Sequence, residues 1–77
     1  MKQLYIITGA NGHLGGTLMR MLKNTPHTVR GLILPNEPAH DSENMKYIRG
    51  DVREKETMRP LFEGTGGFDR VTVIHTA

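Results

Sequence analysis

The chain has 77 residues, about one small domain and near the lower limit for a self-sufficient core. Its formal net charge of +2, without any stripe of Lys or Arg, leaves no footprint for nucleic acid, and the absence of Cys excludes disulfides, thiolate metal sites and a cysteine nucleophile. No apolar run approaches the roughly 20 residues of a membrane-spanning helix, and the opening Met-Lys-Gln leads into a short apolar run with no small-residue cleavage site, so a cytoplasmic protein is expected.

Residues 3–8 read as a buried strand, a short continuous apolar run ended by Thr8-Gly9. Leu14, Leu18, Met21 and Leu22 then recur at helical spacing, predicting a helix over 13–24 that Asn24-Thr25-Pro26 stops. Val29 to Leu34 is a second strand, closed by Pro35. Residues 35–44 carry two prolines among polar side chains and predict a loop with room for one helical turn. Met45-Lys46-Tyr47-Ile48 is a short third strand leading into Gly50-Asp51-Val52. Residues 54–63 have helical spacing in Met58, Leu61 and Phe62, but Pro60 would cost about 3 kcal/mol in a helix interior, so a kink or a late start is expected. After Gly64-Thr65-Gly66-Gly67, Val71 to His75 form a fourth strand.

The order is β-α-β-loop-β-α-β. Right-handed crossovers turn it into a parallel α/β sheet with strand order 3-2-1-4, the N-terminal half of a Rossmann-type doubly wound sheet. The reversal of strand order falls beside the first strand, where the glycines follow. Residues 35–44 are too polar to cover much of one sheet face, and the fourth strand is left as an unpaired edge. A marginally stable chain, or one that self-associates through that edge, is therefore expected.

Thr8-Gly9-Ala10-Asn11-Gly12-His13-Leu14-Gly15 joins a strand to a helix with the spacing Gly-x-x-Gly-x-x-Gly. Such a turn lets a pyrophosphate approach the backbone, and the helix N-terminus offers free N–H groups and partial positive charge. The Gly-Lys-Ser/Thr of a triphosphate loop is missing, since Gly15-Gly16-Thr17 holds no Lys. A methyltransferase loop fits the fold, but this string is not its usual form.

The string resembles the glycine loop of the extended short-chain dehydrogenase/reductase superfamily, the NAD(P)-dependent epimerases, dehydratases and dihydroflavonol-type reductases. Gly50-Asp51-Val52 is similar to the family's motif after strand 3, and Val73-Ile74-His75-Thr76-Ala77 to its strand-4 ending. The resemblance covers essentially the whole chain and implies a partial NAD(P)-binding Rossmann domain over 1–77. By it, Gly9, Asn11, Gly12, His13 and Leu14 face the pyrophosphate, and Gly15 lets helix and strand pack closely. Asp51 and Val52 hold the adenine, and Thr76 and Ala77 border the ribose.

Bland readings stand beside these. Asp51 can instead satisfy free N–H groups ahead of the following helix. Arg30 is a surface or packing residue. His13 is a loop residue rather than a catalytic base, and His27, His40 and His75 lack metal-ligand spacing.

The sequence departs from the family in two places. Strand 2 ends in Ile33 and Leu34, which can bind neither a ribose hydroxyl nor a 2′-phosphate, and Asn36 and Glu37 follow only after Pro35. The missing acid leaves NAD or NADP as the cofactor and tilts the choice toward NADP. The family's Tyr-x-x-x-Lys pair, in which Lys lowers the phenol pKa for proton abstraction, is also absent: Tyr5 is followed four positions on by Gly9, and Tyr47 by Asp51. The chain is therefore expected to be the dinucleotide-binding portion of an NAD(P)-dependent oxidoreductase or epimerase, inactive by itself, with catalytic and substrate regions absent. The alternative is a non-catalytic NAD(P)-binding regulatory module of the same superfamily.

Overall fold

The structure, a computed structural model, describes residues 3–76. The elements run β1 (Gln3–Thr8), α1 (His13–Leu22), β2 (Thr28–Ile33), β3 (Met45–Arg49), a 3-10 turn (Lys55–Met58), α2 (Arg59–Phe62), a second 3-10 turn (Thr65–Gly67) and β4 (Arg70–His75). The four strands form one parallel sheet in the order β3-β2-β1-β4. Registers Leu4↔Thr28 and Leu4↔Val71 place β1 between its two neighbours, and Thr8 ends level with Leu32 and His75.

The alternation of side chains across the pleat divides the core in two. On the α1 face, Ile7, Val29, Ile33 and Met45 meet Ala10 and Met19. On the other, Leu4, Ile6 and Leu32 meet Leu61 of α2. Leu4, Ile6, Ile7 and Leu61 are fully buried, and burying a side chain of that size contributes about 2 kcal/mol. One apolar residue on a four-residue helix thus anchors the whole second layer.

The element ends have local causes. The helix predicted to residue 24 stops at Leu22, because Asn24 adopts a left-handed backbone (φ 63). Asn44, just ahead of β3, holds that end: its Nδ2 donates to the carbonyls of Leu22 and His27, each at 2.9 Å, and its Oδ1 accepts from the Asn24 N–H. Pro60 sits in the first turn of α2, where its missing N–H costs nothing, and the preceding residues take the tighter 3-10 form. The predicted segment 54–63 therefore becomes a helix that starts late. Arg30, half-buried in β2, points to the α2 layer, where Nη1 donates to the carbonyl of Leu61 at 3.1 Å and to that of Glu63. It satisfies carbonyls left open at the helix end.

β4 lies at the sheet edge with Val71 39% and Val73 52% exposed. Segment 34–44 contains no helix. It makes a turn in which the Glu37 N–H donates to the Leu34 carbonyl at 3.0 Å, and it sends Ala39 against the α1-face core.

Candidate functional site

Everything that could grip a ligand gathers at the C-terminal ends of the strands, beside the point where strand order reverses, the usual binding position in open α/β sheets. Gly9 leaves β1 with φ 65, a left-handed backbone that side chains disfavour. Its carbonyl accepts the Gly12 N–H at 2.9 Å, closing the turn, and the Gly12 carbonyl accepts the Gly16 N–H at 2.8 Å as the helix begins. Gly15 is buried against this turn: a Cβ there would lie 2.0 Å from the Gly9 oxygen. Only a hydrogen at that position lets α1 start this close to β1.

The helix start is left open. Gly12 offers no side-chain cap and no acid occupies the first turn, so among the described residues no side chain caps or opposes the leading N–H groups. A dinucleotide's phosphates suit that end. His13 and Leu14 are exposed in the first turn, Leu14 by 60%. Asn11 behaves differently from its neighbours. Its Nδ2 donates to the Pro38 carbonyl at 2.9 Å, tying the glycine loop to segment 34–44 rather than reaching for a phosphate.

A cavity of about 220 Å³ lies beside the loop, walled by Gly9, Gly12, Leu34, Glu37, Asp51 and Val52. It unites four of the residues singled out from the sequence. Asp51 is held at both backbone ends by Thr57, whose Oγ1 accepts the Asp51 N–H at 2.8 Å and donates to the carbonyls of Asp51 and Glu54. The Asp51 carboxylate meets Arg53: Oδ1 accepts from the backbone N–H at 2.9 Å and from Nε at 3.1 Å, and Oδ2 from Nη2 at 2.8 Å. It closes a local turn with Arg53 and does not cap the following 3-10 turn, whose N-cap is Glu54 without a side-chain hydrogen bond, and Oδ2 keeps room for one more donor such as an exocyclic amine. These hydrogen bonds, first from the guanidinium and then from the backbone, hold its pKa at about 2.

Thr76 does not open freely onto this site. Its N–H donates to Thr8 Oγ1 at 3.1 Å, its hydroxyl donates to the Thr8 carbonyl, and it would touch a Cβ at Gly15. Thr8 Oγ1 also meets His75 Nδ1 at 2.8 Å, so a buried threonine fastens the end of β4 to the glycine turn. Ala77, also named from the sequence, lies outside the described residues. Sequence reasoning named Thr8 only as the start of the glycine string, passed over Thr57, whose neutral hydroxyl carries no motif, and set Glu37 aside as a loop residue. Its distance of roughly 20 residues beyond the last glycine was the available signal.

The parallel sheet in the order β3-β2-β1-β4, with helices on its faces, is a Rossmann-like α/β unit. The sequence model of the NAD dependent epimerase/dehydratase family matches residues 5–77, and the chain belongs to that family. A search of curated proteins found no significant match. Among solved structures, a short chain dehydrogenase family protein from Francisella tularensis subsp. tularensis SCHU S4 superposes with a TM-score of 0.71 at 19% identity. That likeness covers 96% of this chain and 31% of the dehydrogenase, so the chain spans less than a third of that relative's length. The fold agrees, and the family implies a nicotinamide dinucleotide; the free helix start and the cavity beside it fit such a group. No helix among the described residues is long and apolar enough to cross a membrane.

The Asp51 pair carries a pH signature. A carboxylate whose folded pKa is depressed from 3.8 to about 2 adds stability at higher pH, and this is lost as pH falls through that interval. A carboxyl NMR titration should find the Asp51 midpoint near the lower value, and Arg53→Ala should move it up toward 3.8 and flatten the acid limb of urea stability. An unchanged midpoint in the variant would mean that Arg53 does not hold Asp51 in solution.

Proposed function

We propose that the chain is the dinucleotide-binding portion of an NAD(P)-dependent oxidoreductase or epimerase, and that it does not turn over substrate by itself. The observation that carries this reading is the uncapped start of α1, pressed against Gly9 and opening beside the cavity at Asp51. The absence of any Tyr-x-x-x-Lys pair from the sequence supports the second half of the statement. In this reading Gly9, Gly12, His13 and Leu14 offer backbone to the pyrophosphate, and Gly15 sets the spacing. Asp51 and Val52 receive the adenine, Thr76 and Ala77 border the ribose, and Asn11 acts through its hold on Pro38.

The strand-end sequence, Ile33-Leu34-Pro35, favours NADP by lacking an acid. The turn after it argues the other way. Glu37 folds back until Oε1 accepts the Leu34 N–H at 2.8 Å, and it joins the cavity wall. A carboxylate there can accept from a ribose hydroxyl, whereas it repels a phosphate. We therefore assign NAD as the preferred cofactor. Two like charges about 4 Å apart near a protein surface cost on the order of 4 kcal/mol, ample for discrimination.

The exposed β4 edge supports a further element of the proposal, reversible pairing of two copies through that strand. Light scattering should then show a concentration-dependent dimer that Val73→Lys abolishes; a strictly monomeric chain at high concentration would refute it.

Saturation-transfer NMR should detect NADH on the chain, with affinity reduced by the missing nicotinamide contacts. Gly12→Val should abolish the signal while the fold persists, because a Cβ at Gly12 meets the Gly9 oxygen at 3.1 Å, far looser than at Gly15. NADH binding that survives Gly12→Val would overturn the loop assignment. NADH should bind at least about tenfold better than NADPH, a difference of roughly 1.4 kcal/mol, and Glu37→Gln should erase the gap. Equal affinities in the unsubstituted chain would remove Glu37 from cofactor choice.

A further inference from the structure

The crossover from β2 to β3 runs in the same direction as that from β1 to β2, so both lie on the α1 face of the sheet. The first crossover carries a ten-residue helix, the second only the irregular segment 34–44. An irregular strand of chain cannot fill the roughly 10 Å width of a helix. A groove of about 400 Å³ remains between that segment and α1. Tyr47 forms its floor, Arg20 of α1 and Lys23 just beyond the helix one wall, His40 the other, and Asn11 and Gly12 close the end nearest the glycine loop.

The charged side chains that line the groove, Arg20 and Lys23, are cationic, and the Asp41 carboxylate lies close enough to Tyr47 to act on it. No carboxylate lines it; the acid nearest its floor, Asp41, is engaged with Oδ1 accepting the Tyr47 N–H at 2.8 Å. Arg20 is exposed, and its guanidinium keeps to the surface of α1. Its Nη2 donates to Thr17 Oγ1 at 3.2 Å, and its Nη1 would lie 3.6 Å from a Cβ at Gly16, so the guanidinium is folded back toward the loop. The His40 ring stands edge-on to Tyr47 with centroids 6.0 Å apart. Burial above all, with Asp41 adding and Arg20 opposing, raises the Tyr47 pKa, which keeps the phenol an O–H donor at neutral pH.

We propose that this groove is a binding site for a phosphomonoester, with Arg20 and Lys23 supplying charge and Tyr47 and His40 supplying hydrogen bonds. A half-open recess of this volume suits a small molecule rather than a polyanion, and a guanidinium fork beside an ammonium matches phosphate oxygens better than a single carboxylate. The site goes beyond the cofactor reading, for the groove and the adenosine cavity share only Gly12. The phosphate can belong to a free metabolite or to the 2′ position of a dinucleotide, and the experiment separates the two.

Amide NMR shifts of the labelled chain should be followed while inorganic phosphate, then glycerol phosphate, is added at constant ionic strength. Saturable shifts at Gly16, Arg20 and Tyr47 are expected. The double variant Arg20→Gln/Lys23→Gln, at two exposed positions, should weaken them at least about tenfold, and the same spectra report its folding; His40→Ala provides an independent second test. Saturation by phosphate with NADH bound at the same time supports a separate ester. Groove shifts produced by NADPH in competition with phosphate support the dinucleotide's own phosphate, and there the preference for NAD falls while the groove stands. Phosphate binding without any NADH binding sinks the cofactor reading alone. Shifts that never saturate, or titrations unchanged in both variants, overturn the phosphate site.

Discussion

The approach of α1 to the backbone of β1 is the constraint from which the site follows. A side chain at Gly15 would have to stand 2.0 Å from the Gly9 oxygen, so the helix can begin immediately beyond the strand only because that position is empty. The left-handed Gly9 makes the turn, and the unobstructed Gly15 lets it close. With those two satisfied, the first turn of α1 points its free N–H groups across the C-terminal edge of the sheet at the reversal of strand order. The same contact touches Thr76, whose hydroxyl and amide return to Thr8. One packing event therefore fixes three chain segments distant in sequence, and the partial charge of the helix is aimed by sterics rather than by any charged side chain.

Around that point the molecule uses small hydrogen-bonding side chains in place of extra secondary structure. Asn44 ends α1 and starts β3, Thr57 pins Asp51, Asn11 fastens the crossover segment, and Arg30 closes α2. Each satisfies backbone groups that a longer helix or a fifth strand would otherwise satisfy. This explains how an eleven-residue crossover without a helix can still form a wall on each side, lining the cavity beside the glycine loop through Glu37 and the groove against α1 through His40. The two cavities owe their existence to the same irregular segment.

The parts of this arrangement that could be read from the sequence are those with a period or a backbone requirement. A continuous apolar run marked the first strand, short apolar-rich segments bounded by turn residues marked the other three, and crossover handedness set their order. Pro60 marked a late helix start, and the glycine spacing located the turn. The roles of Asp51, Asn11 and Glu37 were harder, because each depends on what stands opposite. Asp51 is pinned by Thr57 of the 3-10 turn, and Asn11 finds Pro38 across 27 positions of sequence. Glu37 looked displaced by its proline until the turn returned its carboxylate to the end of β2. Polar side chains without periodicity become legible only through tertiary partners, and Thr8, buried at 5% exposure, is the extreme case.

The engagement of Asp51 with Arg53 bears on how an adenine could be held at all. An acceptor kept free for ligand would be solvated, and the ligand would have to displace that water. Here the carboxylate is already desolvated on one side and aligned by three donors, with the guanidinium 83% exposed beyond it. A donor arriving at the remaining lone pair of Oδ2 adds to this network instead of replacing it, so little reorganisation accompanies binding. The depressed pKa expresses the same fact, since a carboxylate stabilised in its ionised form remains an acceptor throughout the range in which the protein is folded.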